Sequence, residues 1–210
     1  MQVELVAITR YLRGEGTPEE LLEHAGRICY RSKARGDPGA FLRSRIREGH
    51  ESIIEHANAT FEISGISRAC SHQLVRHRLA SYSQESQRYV DMSEPEWKLP
   101  DAIADDPEAM EIWEAFADHV QMAYGALRER GVRKEDARFL LPNAAATRII
   151  MTANFRELLH IFRLRISREA QWEIRQVAVL MLEEVYPHAP AVFGEVRDEL
   201  RERYPAFFEG

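Results

Sequence analysis

Residues 76–89 read RHRLASYSQESQRY. The stretch gathers Arg76, His77, Arg78 and Arg88 with Ser81, Ser83, Gln84, Ser86 and Gln87, and interleaves Tyr82 and Tyr89. No apolar position recurs at a helical or strand period, so burial of one face does not account for it. Arginine forks suit phosphate and carbonyl edges, and Ser and Gln add neutral donors. The bland alternative is a polar loop with incidental charge. Weighed against it, the donor set points to a phosphorylated ligand that carries a heterocycle. Residue chemistry goes no further than that class.

Working outward, residues 68–88 hold Arg68, Arg76, Arg78 and Arg88 against one acid, Glu85, although the 210-residue chain has a formal charge of −6. A general nucleic-acid binder carries a basic domain or stripe. A local cationic site in an acidic protein suggests a small anionic ligand instead. The length suits one domain with a core of its own. No apolar run is long enough to span a bilayer, and the opening MQVELVAITR reads as a first strand, not a signal peptide. Cys29 and Cys70 lack CxxC spacing, which favours a reduced, cytoplasmic setting over a disulfide framework.

Element signals are frequent. Thr17-Pro18-Glu19-Glu20 opens a helix to about Ser32, and Asp37-Pro38 opens another that Gly49 stops. NATFEISGI (58–66) alternates as a half-buried strand, and Ser67 caps a helix to about Val75. Asp106-Pro107 starts the longest helix, ending at Gly131. A short helix spans about 134–140, and ATRIIMT (146–152) is a second interior strand. Asn154 caps a further helix, and 170–186 is helical by period and propensity. EPEWKLPD (94–101) reads as a long loop. Strands and helices do not alternate regularly, which argues against a parallel doubly wound sheet. The expectation is one α+β domain over residues 1–210, with a mainly antiparallel sheet flanked by helices.

Other chemistries fit poorly. His50 and His56 in HESIIEH are six apart, about 240° round a helix, whereas the helical zinc motif needs a spacing of four. No Cys or His pair completes a structural zinc site, so no metal is expected. There is no GxGxxG and no Walker lysine. Neither cysteine has a base at a recognisable spacing, and both are expected to be buried as small hydrophobes. In NFRELLHIFRLR (154–165), Arg156, His160 and Arg163 share a helical face while Arg165 points elsewhere, and no acid lies within helical reach on that face.

The motif RHR, two residues, Ser, four residues, Ser, one residue, Arg resembles the signature of the flavin-dependent thymidylate synthases. Arg76 through Arg88 satisfy every fixed position. GHESIIEH, the RxxLP at Arg138, NxR at 154–156, LR at 164–165 and AQWEI follow in the family's order, so the resemblance covers roughly residues 20–180. It implies a homotetrameric α+β enzyme with active sites shared between subunits. The implied reaction makes dTMP from dUMP, with 5,10-methylenetetrahydrofolate as carbon donor and NADPH as reductant through FAD.

Carried over by residue, the resemblance implies FAD contacts from Ser52, Arg76, His77, Arg78, Asn154 and Arg156. It implies dUMP contacts from Gln73, Arg76, Ser86, Gln87, Arg88, Arg138 and Arg165, with Arg165 activating the pyrimidine. His50 and Tyr89 would lie where nicotinamide or folate reaches the flavin. Gln84 stands where some members have Glu, Cys29 where they have a small hydroxyl residue, and His160 where they have Asn. Gln84 and His160 remain candidates for FAD, and Gln84 also for dUMP, through their hydrogen-bonding groups. A reaction of this kind needs no enzyme thiol, which agrees with the lack of an activated cysteine. The rival from another class is a non-catalytic RNA-binding module gripping bases with the Arg-Tyr-Gln stretch, which the acidic total charge disfavours.

Overall fold

The computed structural model describes residues 1–33 and 37–209. Its sheet has four strands: β1 (Gln2–Ile8), β2 (Asn58–Ser67), β3 (Ala80–Gln84) and β4 (Ala146–Asn154), in the order β1-β2-β4-β3. Phe155 N–H donates to Ala57 O, Thr60 and Thr152 hydroxyls meet at 2.9 Å, and Arg68 N–H donates to Ala145 O. One number rises as the other falls, so β2 and β4 run antiparallel. Likewise Thr9, just past β1, bonds Asn58 at the start of β2. Glu85, just past β3, bonds Arg148 near the start of β4. The sheet is antiparallel throughout, as the irregular element order suggests.

The interior strands bury alternate residues: Ala59, Phe61 and Ile63 on β2, and Thr147, Ile149, Met151 and Ala153 on β4. That is the pleat's period of two. β3, by contrast, lies inside the stretch that shows no strand pattern. Its sequence ASYSQ is polar on both faces and it sits at a sheet edge, so pairing leaves no apolar trace.

By packing the chain divides into two compact units. The first comprises Met1–Ile63, Gln73–Tyr82 and Ile150–Gly210. In it α1 (Pro18–Tyr30) starts on a reciprocal cap, Thr17 Oγ1 accepting from Glu20 N–H and the Glu20 carboxylate accepting from Thr17 N–H. α2 (Pro38–Arg47) starts on Asp37, which accepts from Gly39 and Ala40 N–H at 3.0 Å each. The chain leaves it through Gly49 at φ +82°, a conformation that favours glycine. HESIIEH forms a 3-10 turn, Glu51–His56, whose Ile53 and Ile54 are buried. Against this turn packs α7 (Phe155–Arg165), which also packs on α8 (Trp172–Val185) and α9 (Pro190–Arg203). The rings of Phe155 and Phe162 lie 4.9 and 5.9 Å from Phe193, all three buried. Each buried ring of this kind stabilises the fold by roughly 1.5–3 kcal/mol. α9 is an element that sequence signals did not anticipate.

The second unit comprises Ser64–His72 and Ser83–Ile149. It holds α3 (Arg68–Leu74) up to His72, then α4 (Asp101–Ala104), α5 (Pro107–Glu129) and α6 (Lys134–Ala137). Cys70 N–H donates to the capping Ser67 Oγ at 3.0 Å. A small core joins Met92, Tyr124 and Ala137 with Leu127, Val132 and Leu141. Trp97, within the expected loop, makes an antiparallel bridge to Ala145. Of the two cysteines, Cys70 is buried as expected, but Cys29 is exposed on α1.

Candidate active site

In the first unit the RHR turn is held by its own backbone. His77 N–H donates to Leu74 O and Arg76 N–H to Gln73 O. The Tyr82 hydroxyl then donates to Leu74 O at 2.8 Å and shares its proton with His77 O at 3.0 Å. Burial raises the Tyr82 pKa, with Glu157 adding and Arg165 opposing, so the phenol stays protonated and can donate. The result is a turn that sends Arg76 and Arg78 outward and His77 inward, where it is 4% exposed.

Around His77 stand four groups. Arg165, closing α7, donates from Nε to His77 Nε2 at 3.0 Å and from Nη2 to Gln73 O at 3.3 Å. Glu157 Oε1 lies 3.7 Å from His77 Nδ1, and the His160 ring meets His77 edge-on at 5.9 Å. Tyr82 holds the backbone. Burial first, then the Arg165 charge, then His160 depress the His77 pKa to about 4. His77 is therefore neutral near pH 7. An arginine N–H can donate only to an unprotonated ring nitrogen, so the proton sits on Nδ1. Burial raises the Glu157 carboxyl, with His160 pulling it down.

Arg76, His77, Arg78, Leu79, Glu157 and His160 line a cleft of about 490 Å³. Arg76 and Arg78 have no acid partner among the described residues. The two outer arginines of α7 differ. Arg156 Nη1 donates to Glu55 Oε1 at 2.5 Å and its Nε lies 3.5 Å from Glu51, while Arg163 Nη1 lies 3.4 Å from Glu51. No acid was expected within helical reach, and none on α7 supplies these pairs. They come from the 3-10 turn about a hundred residues earlier. Asn154 accepts Glu157 N–H at 2.9 Å and so caps α7. Ser52 is exposed on the turn, and His50 heads it with Nε2 3.9 Å from Glu48. Arg165 also lines a second cleft, of about 600 Å³, with Arg163, Glu169, Arg203 and Tyr204.

The remaining candidates lie in the second unit. Gln84 donates from Nε2 to Ser71 Oγ at 2.9 Å and to Thr147 Oγ1 at 3.2 Å. These bonds leave its carbonyl oxygen to serve a ligand donor. Arg68 Nη1 bonds Glu85 O and Thr147 Oγ1, and burial followed by Arg138 lowers its pKa. Ser86, Gln87 and Arg88 form a turn closed by Tyr89 N–H to Ser86 O and Arg88 N–H to Ser86 Oγ. Arg88 donates to Glu135 Oε2 at 3.1 Å, and Arg138 Nε donates to Glu135 O at the same distance. Tyr89 is exposed beside the Arg88 guanidinium, 5.6 Å from its ring.

Glu51, Glu55, Glu157, Thr147 and Glu135 were absent from the sequence-based set. Glu157 had a signal, three positions before His160 on one helix. Glu135 had none.

Fold and site together define an α+β protein with exposed arginines that have no acid partner among the described residues. The family described as thymidylate synthase complementing protein matches residues 10–191. The chain belongs to that family. A flavin-dependent thymidylate synthase of Geobacter sulfurreducens is 46% identical over 189 residues, covering 85% of this chain and 82% of that protein. One from Mycobacterium marinum is 38% identical over 223 residues, covering 93% and 89%. The crystal structure of Thymidylate Synthase X from Helicobacter pylori with FAD and dUMP has a TM-score of 0.76 at 22% identity, covering 94% of this chain and 99% of that one. At that identity the likeness concerns the fold.

Proposed function

We infer that this chain is a flavin-dependent thymidylate synthase, converting dUMP to dTMP with carbon from 5,10-methylenetetrahydrofolate and electrons from NADPH through FAD. The observation that carries the reading is the pair Arg76 and Arg78, exposed and without acid partners, beside a cleft backed by neutral His77. Nothing supports the RNA-binding alternative in a chain of this family and charge.

The donor set fits FAD. Arg76 and Arg78 suit its pyrophosphate, and His160 with the cleft walls suits a planar ring. Ser52, Asn154 and Arg156 belong to the same assignment, although Arg156 must then exchange Glu55 for the ligand. Bound flavin would supply hydride transfer, chemistry that no side chain here offers. The chain's own work is binding and polarisation. Ser86, Gln87, Arg88 and Arg138 would hold the dUMP phosphate and sugar, and Gln73 and Gln84 the pyrimidine edge. Arg165 would stabilise negative charge developing at uracil O2 and N3 through its planar guanidinium fork. His50 and Tyr89, both exposed, are assigned to nicotinamide and folate.

Tetrameric assembly, a single functional domain over residues 1–210 and a cytoplasmic setting belong to the same proposal. Exposed Ile112, Phe116 and Met122 on α5 favour assembly. β2 and β4 each run from one compact unit into the other, which favours one domain. Cys29 and Cys70, not joined in a disulfide and with Cys29 exposed, suit a reducing compartment. The test is an anaerobic assay with FAD, NADPH, dUMP and methylenetetrahydrofolate, read as dTMP by chromatography. Yellow protein that forms dTMP only when all four are present is the expected result. Colourless protein, or no dTMP from flavin-loaded protein, overturns the assignment.

A further inference from the structure

We propose that His77 is a positioning residue for Arg165, its neutral Nε2 and the Gln73 carbonyl together fixing the guanidinium that polarises the pyrimidine. The proposal rests on Arg165 being the activating group. Arginine at the end of a helix has free rotation about four side-chain bonds, and polarisation depends on where the fork sits. Here two of its three nitrogens are held from behind: Nε by His77 Nε2 at 3.0 Å and Nη2 by Gln73 O at 3.3 Å. The third, Nη1, has no partner among the described residues and is the nitrogen left to meet a ligand.

Every group facing His77 supports that acceptor role. Arg165 approaches Nε2, which must then be bare. Glu157 stands 3.7 Å from Nδ1, on the side where the proton belongs. His160 abuts the ring edge, Tyr82 pins the backbone carbonyl, and Arg76 and Arg78 flank it in sequence. Burial first, then the Arg165 charge and His160, keep a second proton off the ring. His77 backs the cleft but is only 4% exposed, and that burial suits a fixed acceptor behind Arg165. Sequence spacing groups His77 with the two arginines as a flavin contact; the side-chain directions separate them.

The test uses the FAD-loaded enzyme. His77→Gln puts Oε1 as many bonds from Cβ as Nε2, so it can still accept from Arg165. His77→Asn places its oxygen at the Nδ1 position instead, and His77→Phe keeps the ring without an acceptor. His77→Gln should keep dTMP turnover within about fivefold, while Asn and Phe lose tenfold or more in kcat, since small misplacements of a catalytic group are costly. FAD affinity by fluorescence titration and flavin reduction by NADPH without dUMP should stay within about twofold in all three. In an Arg165→Ala background the His77→Phe substitution should cost almost nothing further, because contacting residues that act as a unit are not additive. The proposal is overturned if Gln and Asn behave alike, if turnover falls in step with FAD content, or if the Phe loss persists in full without Arg165. Wild-type turnover in Arg165→Ala alone would instead remove the activating role of Arg165. A melting curve on each variant separates misfolding from these outcomes.

Discussion

His77 shows how one buried imidazole couples the site to stability. Its folded pKa is about 4 against an ordinary 6.5. Between those values the unfolded chain binds a proton that the folded chain refuses, so stability is lost as pH falls from about 6.5 to 4. The loss is at most about 3 kcal/mol. Glu157, with its pKa raised by burial, has the opposite sign: just above the ordinary value of 4.5 the folded state holds more protons. His77→Gln removes only the imidazole, so its melting temperature should depend less on pH across this window than the wild type's. Equal pH dependence in the two proteins would mean that His77 is not the titrating group. The cysteines give a second expectation. Cys29 is exposed and its Sγ meets only Ala25 O at 3.8 Å, while Cys70 is buried. The double Ala variant should keep dTMP synthesis, with a modest stability loss at Cys70; abolished turnover in folded, FAD-loaded protein would point to an overlooked nucleophile. At this scale the arginines could be named from the sequence, because a residue's own chemistry is local. Their partners, Glu51, Glu55 and Glu135, were missed, since a counterion can come from anywhere in the chain.

At the scale of elements, legibility followed the strength of local signals. Thr17, Asp37, Asp106 and Asn154 each marked a helix start, and each accepts backbone N–H bonds there. Gly49 and Gly131 marked ends and take positive φ. What escaped had no such signal. β3 is polar on both faces, and α9 (Pro190–Arg203) has a Pro at its first turn but no side-chain cap at Ala189, and carries Gly194 within it. Asn154 gives this scale its prediction, because it is proposed as a FAD contact while its Oδ1 is already engaged as the α7 cap. Asn154→Ala should cost about 1 kcal/mol through loss of the cap. Asn154→Asp keeps the acceptor and places negative charge at a helix N-terminus, where it is favourable, so its melting temperature should match or exceed the wild type's. If the amide NH2 also serves the flavin, Asn154→Asp should bind FAD about tenfold more weakly despite that stability. Unchanged FAD affinity in the Asp variant would reduce Asn154 to a structural cap.

For the whole molecule, the arrangement around His77 bears on how subunits could share a site. Arg78 lines the cleft with Arg76 and His160, whereas Arg165, bonded to His77, lines the other cleft with Arg163 and Arg203. One chain thus offers Arg78, proposed for the flavin, and Arg165, proposed for activation, to different cavities. In a closed homo-oligomer the same surfaces recur on every copy, so a site could take Arg78 from one subunit and Arg165 from another. The expected mass in light scattering at micromolar concentration is that of a tetramer of the 24.3 kDa chain. Arg78→Ala and Arg165→Ala proteins, each with only residual activity, should then complement when dissociated, mixed equally and reassembled. A working site needs its Arg78 from an Arg165→Ala chain and its Arg165 from an Arg78→Ala chain, and random mixing supplies both in about a quarter of sites. Recovery near that fraction of wild-type turnover is the expected outcome. A tetrameric mass with no recovery would place both arginines of each site on one chain, and a monomeric mass would end the shared-site picture altogether.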